Sequence, residues 1–162
     1  MNIEIVRLRP EHARITPYLR SADTQEIVEG SGISPSLAVA FSIAHSSPGY
    51  AALLDGELVV VFGASPAGAP GVGVVWLLAT QEIERHPVRF YRESKRMFGN
   101  VAEKYETLIN WVDQRNTLSL RWLKWLGFEI GEPEPWGVMG LPFCRVRKMR
   151  RKNDGERTPR IR

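Results

Sequence analysis

Apolar residues recur along the chain at spacings that alternate between those of strands and those of helices. Residues 3–8 predict a first strand, which Pro10 ends, and residues 11–21 predict a short helix. Ser34 and Pro35 then form a typical helix start, because serine caps a helix N-terminus and proline suits its first turn. The apolar stripe of this second helix comprises Leu37, Ala40, Phe41 and Ala44. The chain is therefore expected to begin with one strand and two helices.

Three apolar segments in the middle of the chain predict an antiparallel meander. Residues 50–54 and 58–62 flank an Asp-Gly turn at 55–56, which is the strongest local signal for a hairpin. Residues 63–71 are rich in Gly, Ala and Pro and predict a loop. Residues 72–80 are apolar throughout, so we expect a central strand that is covered on both faces.

The longest helix is predicted over residues 85–105, and a strand is predicted over 107–112. At 100° per residue the helix carries apolar side chains on one face and a stripe of arginines on the other. The stripe comprises Arg85, Arg89, Arg92 and Arg96. It has two interpretations, a solvated helix face or a surface that binds nucleic acid.

The last helix is predicted from its caps. Asn116 is a favourable N-terminal cap, and Gly127 is a typical residue for the left-handed turn that ends a helix. The expected apolar face comprises Leu118, Trp122, Trp125 and Leu126. Residues 128–130 and 143–149 predict two final strands, joined by a proline-rich loop over 131–142 in which Trp136 is the expected exposed anchor for a partner.

This order of elements, together with the segment from Asn116 to Phe128, resembles the GNAT acyltransferase superfamily. Asn116, Ser119 and the Gly127-Phe128 pair stand at the offsets of the superfamily's late helix. The resemblance covers residues 1–149 and implies an α/β fold, in which helices flank a GNAT-like (acyl-CoA N-acyltransferase) mixed sheet with an antiparallel meander. Residues 150–162 are then expected to form a basic, flexible C-terminal tail.

The resemblance also implies a cofactor site, which this sequence matches poorly. In the superfamily acetyl-CoA lies between the two central strands, and its pyrophosphate contacts N–H groups at the start of the helix after the fourth strand. Residues 80–88 contain no glycine here, Pro87 lacks an N–H group, and Glu82 and Glu84 would repel a diphosphate. We therefore expect no cofactor. If acetyl-CoA does bind, the candidate residues are Arg85, Arg89 and Asn116.

Catalytic groups are equally hard to find. Leu123 occupies the position at which many superfamily members carry a proton-donating tyrosine. Glu57 follows the hairpin turn and is expected to be solvated, and Cys144 is expected to be buried in an edge-like strand. The three histidines have neither metal-ligand nor triad spacing, and each is expected at the surface: His12, His45 and His86. The sequence thus predicts no catalytic residue and no metal.

A second resemblance runs from about Ser34 to Gly127 and is best over residues 103–127, which look like a family of small proteins of tailed bacteriophages. In short-tailed phages these are described as internal virion or head-assembly proteins with a GNAT-like fold. The resemblance implies a non-enzymatic role in particle assembly, with other phage structural proteins as partners, in the host cytoplasm or packaged in the virion. The alternative is a divergent N-acetyltransferase that depends on acetyl-CoA.

Charge and composition bear on partners and compartment. Residues 145–162 contain nine Lys or Arg and two acidic residues, so their net charge is +7. The net charge of the whole chain is +4, which leaves −3 on the rest of the chain. This tail could bind nucleic acid or an acidic partner, or it could simply be solvated. The single Cys144 excludes an intramolecular disulfide and fits a reducing cytosol. The apolar runs are too short for a membrane span, and the first residues lack a signal-peptide layout.

Overall fold

The computed structural model describes residues 2–150, in which helices cover a seven-stranded mixed sheet. The strands are β1 (Ile3–Arg7), β2 (Gly49–Leu54), β3 (Glu57–Pro66), β4 (Val72–Ala79), β5 (Thr107–Asp113), β6 (Glu129–Trp136) and β7 (Leu141–Met149). The helices are a 3-10 helix (Pro10–Tyr18), α1 (Ser21–Ser31), α2 (Pro35–His45), α3 (Glu82–Arg85), α4 (Pro87–Lys104) and α5 (Thr117–Trp125). The strand order is β1-β2-β3-β4-β5-β7-β6. All neighbours are antiparallel except β4 and β5, so the only parallel pair among these strands lies at the centre of the sheet.

The predicted hairpin is confirmed, but its second strand is longer than expected. Asp55 and Gly56 both have positive φ, 48° and 86°, as a tight two-residue turn requires. β3 continues through residues 63–66, which the sequence predicted as loop. Glycine is needed at position 63, because a Cβ there would come within 2.6 Å of the Pro48 carbonyl oxygen. The Gly/Ala composition thus reflects close packing rather than a turn.

Helix α1 was missed by the sequence analysis, which predicted one short helix over 11–21. In its place the structure has the 3-10 helix Pro10–Tyr18 and then α1. α1 has no apolar stripe to detect, since one of its buried residues is the carboxylic acid Asp23 and Glu26 is half-buried. The polar residues that hide this helix from the sequence pattern prove to line the candidate site.

Helix α2 begins as predicted but turns its other face inward. The Ser34 hydroxyl oxygen accepts a hydrogen bond from the Leu37 amide at 3.2 Å. The predicted apolar stripe is nevertheless exposed, including Leu37 and Phe41. Val39 is buried instead and, together with Ile43, packs in a cluster with Val61. α2 has apolar residues on both faces, so helical spacing alone could not identify the face that is buried.

The largest apolar cluster lies beneath α4 and α5. The predicted long helix starts at Pro87, because His86 leaves helical geometry (φ −135°, ψ 44°) and separates the short α3 from α4. The aromatic rings of Phe62, Phe90 and Trp122 meet edge-on or stacked at 5.7–6.2 Å. The arginine stripe is exposed, as predicted.

Three further predictions about aromatic residues and strands were wrong. Trp125 is 51% exposed rather than in the core; it stacks on Tyr91 and lies beneath the Lys95 ammonium group. The proline-rich segment forms most of β6, which is an edge strand. Proline lacks an N–H group, and an edge strand tolerates it because one side of the strand has no neighbour that needs this donor. β7 therefore lies between β5 and β6, so Cys144 is buried in an interior strand rather than an edge.

Candidate functional site

A gap opens between the two central parallel strands. β4 and β5 are paired only from Val72–Val74 to Thr107–Ile109. Beyond this point the strands diverge, and the side-chain amide of Asn110 donates a 2.6 Å hydrogen bond across the gap to the carbonyl of Val75. The sheet thus contains a wedge-shaped opening whose edge is formed by unpaired β4 backbone.

The start of α1 closes the far end of this gap. The Arg20 amide donates to the Ala79 carbonyl at 2.8 Å, and the Ala79 amide donates to the Asp23 carboxylate at 2.9 Å. The next amide, of Thr80, points the other way, to β3. Backbone N–H and C=O groups alternate in direction along a strand. The backbone groups of Leu77 therefore point into the gap, between the end that Asn110 occupies and the end that Asp23 occupies.

A cavity of about 190 Å³ lies at this opening, bounded by α1, α2, α5 and strands β4 to β7. Its aromatic residues are Trp76, Trp111, Trp122, Trp136 and Phe143, and its polar residues are Asp23, Glu26, Ser31, Ser42, Asn110 and Ser119. None of the described residues that line it is Lys, Arg or His. The cavity therefore combines apolar walls with carboxylates.

Trp136 lies in this cavity, not on the surface as the sequence analysis predicted. Its ring stacks on Trp111 with 5.7 Å between centroids and packs against Phe143 at 5.0 Å. Trp111 therefore faces Trp136 on β6. The Nε1 group of Trp76 donates to the Ser46 hydroxyl oxygen at 2.8 Å, which fixes the orientation of that ring.

Arg20 and Asp23 form a buried ion pair at the rim of the cavity. The Nη2 and Nε groups of Arg20 donate to the two carboxylate oxygens of Asp23 at 2.7 and 3.2 Å. Burial raises the pKa of Asp23, against the opposing effect of the Arg20 charge. Asn116 connects this pair to the rest of the site: its Oδ1 accepts from Arg20 at 3.0 Å, and its Nδ2 donates to Asp23 at 3.1 Å.

Glu26 has a strongly perturbed carboxyl group. Its Oε2 accepts a 2.6 Å hydrogen bond from Asn116. Burial, together with the charges of Asp23 and Asp113, raises the pKa of Glu26 to about 8 against the effect of the Asn116 hydrogen bond. A carboxyl group with this pKa can accept or release a proton near neutral pH, which is what general acid–base chemistry requires.

Glu26 differs from its acidic neighbours in lacking a cationic partner. Arg20 pairs with Asp23 and Glu84, and Arg115 pairs with Asp113 and Glu29. Within residues 2–150, no Lys, Arg or His forms an ion pair with Glu26. The site therefore has one carboxyl group that is available to an incoming cation.

Ser119 provides a second free polar group. Its hydroxyl oxygen is buried and has no hydrogen-bond partner in the described residues, and the residue lines the cavity. Leu123, at the position of the superfamily's tyrosine, lines the cavity as well and is buried. The sequence analysis named Ser119 for its spacing only, and it did not identify Glu26. A glutamate near the end of a polar segment gives no signal until α1 is known to be a helix.

The residues predicted to hold a cofactor do not form one cluster. Arg85 is exposed at the end of α3 and Arg89 at the start of α4, whereas Asn116 is buried among Arg20, Asp23 and Glu26. The acidic residues Glu82 and Glu84 were expected to repel a diphosphate. Each is paired with an arginine, Glu82 with Arg85 at 3.1 Å and Glu84 with Arg20 at 3.4 Å.

The start of α4 presents free amide groups. Pro87 occupies the first helical position, and the Phe90 amide is bonded to the His86 carbonyl. The amides of Val88 and Arg89 have no acceptor in the part of the chain that is described. Two free N–H groups and an arginine side chain at the N-terminus of an 18-residue helix fit an anion.

The remaining candidates are not catalytic centres. His12 was expected at the surface but is buried; its Nδ1 accepts from the Arg9 amide at 2.9 Å, and burial lowers its pKa. Burial raises the pKa of the Cys144 thiol, so it is not an activated nucleophile. Among residues 2–150, no three His, Cys, Asp or Glu side chains are grouped so that they could hold a metal ion.

Comparison with solved structures identifies the fold. The chain aligns with yncA of Salmonella typhimurium, solved with its cofactor acetyl-CoA, over 94% of this chain and 96% of that one (TM-score 0.67, 12% identity). A GNAT-family acetyltransferase from Streptococcus pneumoniae aligns over 91% of this chain and 99% of that one (TM-score 0.64, 11% identity). The aminoglycoside acetyltransferase AAC(6')-Ib in complex with coenzyme A aligns over 92% of this chain and 95% of that one (TM-score 0.60, 19% identity). The chain therefore has the mixed α/β fold of the GNAT acetyltransferases.

These matches contradict the predicted role in phage particle assembly. The similar structures named above are acetyltransferases, and no comparison supports a resemblance to phage virion proteins. No protein-family model matches the sequence, and no curated protein matches it either. The expectation that the basic tail binds nucleic acid or an acidic partner stays a prediction, since residues 151–162 lie outside the described part of the chain.

Within the described residues no single helix has both the length and the hydropathy of a membrane span. Only α1 and α2 taken together, bent by 88°, meet that criterion.

Proposed function

We propose that this protein is an N-acetyltransferase that uses acetyl-CoA, with Glu26 as the general base for an amine acceptor. The observation that carries the proposal is the carboxyl group of Glu26, whose pKa of about 8 and lack of a cationic partner occur beside a gap between the central strands. Perturbed carboxyl groups in a cleft are typical of catalytic sites. The fold adds support, because similar structures contain acetyl-CoA or coenzyme A.

The residues present fit acetyl-CoA at two places. The pantetheine arm contains amide groups, and the unpaired backbone of β4 around Leu77 offers matching donors and acceptors. The diphosphate is an anion, and the free amides of Val88 and Arg89 together with the Arg89 side chain offer a site at the start of α4. The ion pairs of Glu82 and Glu84 remove much of the expected repulsion.

Acetyl-CoA, when bound, supplies the acetyl group, as the amine nitrogen bonds to the acetyl carbon, the carbon–sulfur bond breaks and the thiolate leaves. Glu26 in its ionised form accepts the proton that the amine nitrogen loses. Asn116 holds the Glu26 carboxylate by its 2.6 Å hydrogen bond, and Arg20 holds Asn116. Leu123 offers no proton at the tyrosine position, so the thiolate leaves as an anion and takes its proton from solvent.

The test is an assay of acetyl transfer from acetyl-CoA to primary amines, in which the release of the free coenzyme A thiol is monitored. We expect kcat/KM to rise about tenfold per pH unit below pH 8 and to level off above it, because only ionised Glu26 accepts a proton. Glu26→Gln should lower kcat by about 10²–10⁴-fold, the usual contribution of a general base. Glu29→Gln is the matched control on the same helix and should retain activity and the pH profile. Full activity of Glu26→Gln would refute the assignment.

The cofactor site has its own test. Arg89→Ala should weaken acetyl-CoA binding about fivefold in isothermal titration, since one solvent-exposed ion pair contributes about 1 kcal/mol. Arg96→Ala removes the same charge from the same face of α4, about two turns further on, and should bind as the wild type does. Equal affinities for the two variants would exclude a diphosphate site at the start of α4.

A further inference from the structure

We propose that the acceptor which this cavity selects is an arylalkylamine, a primary amine joined by a short arm to one aromatic ring. The inference names the substrate class of the acetyltransferase proposed above and therefore rests on that function. It follows from the walls, the size and the charge of the cavity, and from one buried hydroxyl group that has no partner.

The walls favour a flat apolar body. Trp111 and Trp136 are stacked on one side of the cavity, with Phe143 against Trp136. Trp76 lines the cavity from β4, and its ring is fixed by the hydrogen bond to Ser46. Aromatic rings prefer offset-stacked or edge-to-face contacts with other rings, and each such pair adds to the gain from apolar burial.

The size favours a single ring. An apolar cavity of about 150 Å³ is known to hold benzene. The acetyl end of the cofactor at Leu77 would take part of the 190 Å³ of this cavity, so the rest leaves space for no more than one ring and a short arm. A larger polycyclic or oligosaccharide amine would extend beyond the cavity.

The charges favour one ammonium group. Each group that faces Glu26 already has a partner: Asp23 has Arg20, Asp113 has Arg115, and Asn116 bridges Arg20 and Asp23. Glu29, one turn along α1, is paired with Arg115. Glu26 is therefore the single carboxyl group in the described cavity that an ammonium can neutralise. A polyamine would bury further charges that have no partner, which is costly.

Ser119 gives independent support for a polar ligand atom in this place. A buried hydroxyl group without a hydrogen-bond partner costs stability, and such groups are rare unless water or a ligand satisfies them. Ser119 lies on α5 and lines the same cavity, and its amide donates to the Oδ1 of Asn116, the residue whose Nδ2 is bonded to Glu26.

The experiment is a titration of the protein, saturated with coenzyme A, with 2-phenylethylamine at pH 7. Coenzyme A lacks the acetyl group, so no turnover occurs. We expect 1:1 binding, and binding at least tenfold weaker for 2-phenylethanol, which has the same shape without the charge, and for spermidine, which is a polycation. Tighter binding of spermidine would overturn the inference in favour of a polyamine, and equal binding of the alcohol would overturn the role of the charge.

Proton release gives a readout that a purely structural role of Glu26 would not produce. At pH 7 Glu26 is mostly protonated, so an arriving ammonium should displace close to one proton, about nine-tenths for a pKa near 8. Titrations in two buffers of different ionisation enthalpy measure this number directly. Glu26→Gln should release no proton and bind more than tenfold more weakly, while Glu29→Gln should match the wild type in both. Binding without proton release would refute the assignment to Glu26.

Aromatic selection is tested separately. Trp111→Leu should weaken 2-phenylethylamine at least tenfold and methylamine hardly at all, whereas Trp125→Leu, at an exposed position away from the cavity, should change neither. An equal loss for both amines would contradict the aromatic wall. If acetyl-CoA binds and no arylalkylamine does, the substrate class is wrong and the acetyltransferase proposal stands; if acetyl-CoA itself does not bind, the proposed function is wrong.

Discussion

Glu26 should make the stability of this protein depend strongly on pH, and Glu26→Gln should remove that dependence. The pKa of this carboxyl group is raised from 4.5 to about 8 on folding. Between these values the folded protein keeps a proton that the unfolded chain has lost. By linkage, the free energy of unfolding then falls as the pH rises. The contribution of Glu26 is fully present below pH 4.5 and is lost as the pH rises through 8.

The magnitude follows from the size of the shift. A shift of about 3.5 pH units corresponds to about 5 kcal/mol over the whole range, at 1.36 kcal/mol per unit. Between pH 6 and pH 8 the expected loss is about 2 kcal/mol, because the folded group is half ionised at the upper end. This loss is a substantial fraction of the free energy of unfolding of a typical domain, which is about 5–15 kcal/mol.

Urea unfolding at pH 6 and pH 8, followed by tryptophan fluorescence, measures this loss. The wild type should lose about 2 kcal/mol more than Glu26→Gln over this interval. Asp23, whose pKa is also raised by burial, is present in both proteins and cancels in the comparison. Glu29→Gln leaves Glu26 in place and should keep the wild-type dependence. If the free energy of unfolding fell by the same amount between pH 6 and pH 8 in the wild type and in Glu26→Gln, Glu26 would ionise normally, and the argument for a general base would fail.

Packing gives two further predictions, each with a matched control. Trp122→Ala should lower the free energy of unfolding by about 3–5 kcal/mol because Trp122 is fully buried, whereas Trp125→Ala, three residues on and 51% exposed, should cost less than about 1 kcal/mol. Equal costs in urea unfolding would contradict the described core. Gly63→Ala should destabilise by about 1–3 kcal/mol, since its Cβ would lie 2.6 Å from the Pro48 carbonyl oxygen. Gly99→Ala has open space in the middle of α4 and should raise the melting temperature, by a stabilisation of about 1 kcal/mol.

The fold could be predicted largely from local patterns. The hairpin at 55–56, the cap at Asn116 and the stop at Gly127 each follow from backbone chemistry that acts over a few residues, and the structure contains all three. The errors arose where long-range packing decides. α2 is apolar on both faces, and only its neighbours determine that Val39 is buried while Phe41 is exposed.

The site was mostly hidden from the sequence for the same reason. Glu26 acquires its raised pKa mainly from burial, with smaller effects of Asp23 on its own helix and Asp113 on β5, and none of these is visible as a spacing. The pairing of Glu84 with Arg20, 64 residues away in sequence, is equally invisible as a spacing, and whether Glu82 and Glu84 repel a diphosphate stays a prediction. Charges can be counted from a sequence, but their partners require the fold.

We expect the gap between β4 and β5 to bind acetyl-CoA, and isothermal titration of the wild-type protein with acetyl-CoA measures that binding. We expect one site per chain with a dissociation constant in the micromolar range, about −8 kcal/mol, and competition by coenzyme A. Absence of heat up to millimolar acetyl-CoA, with the protein folded, would contradict it.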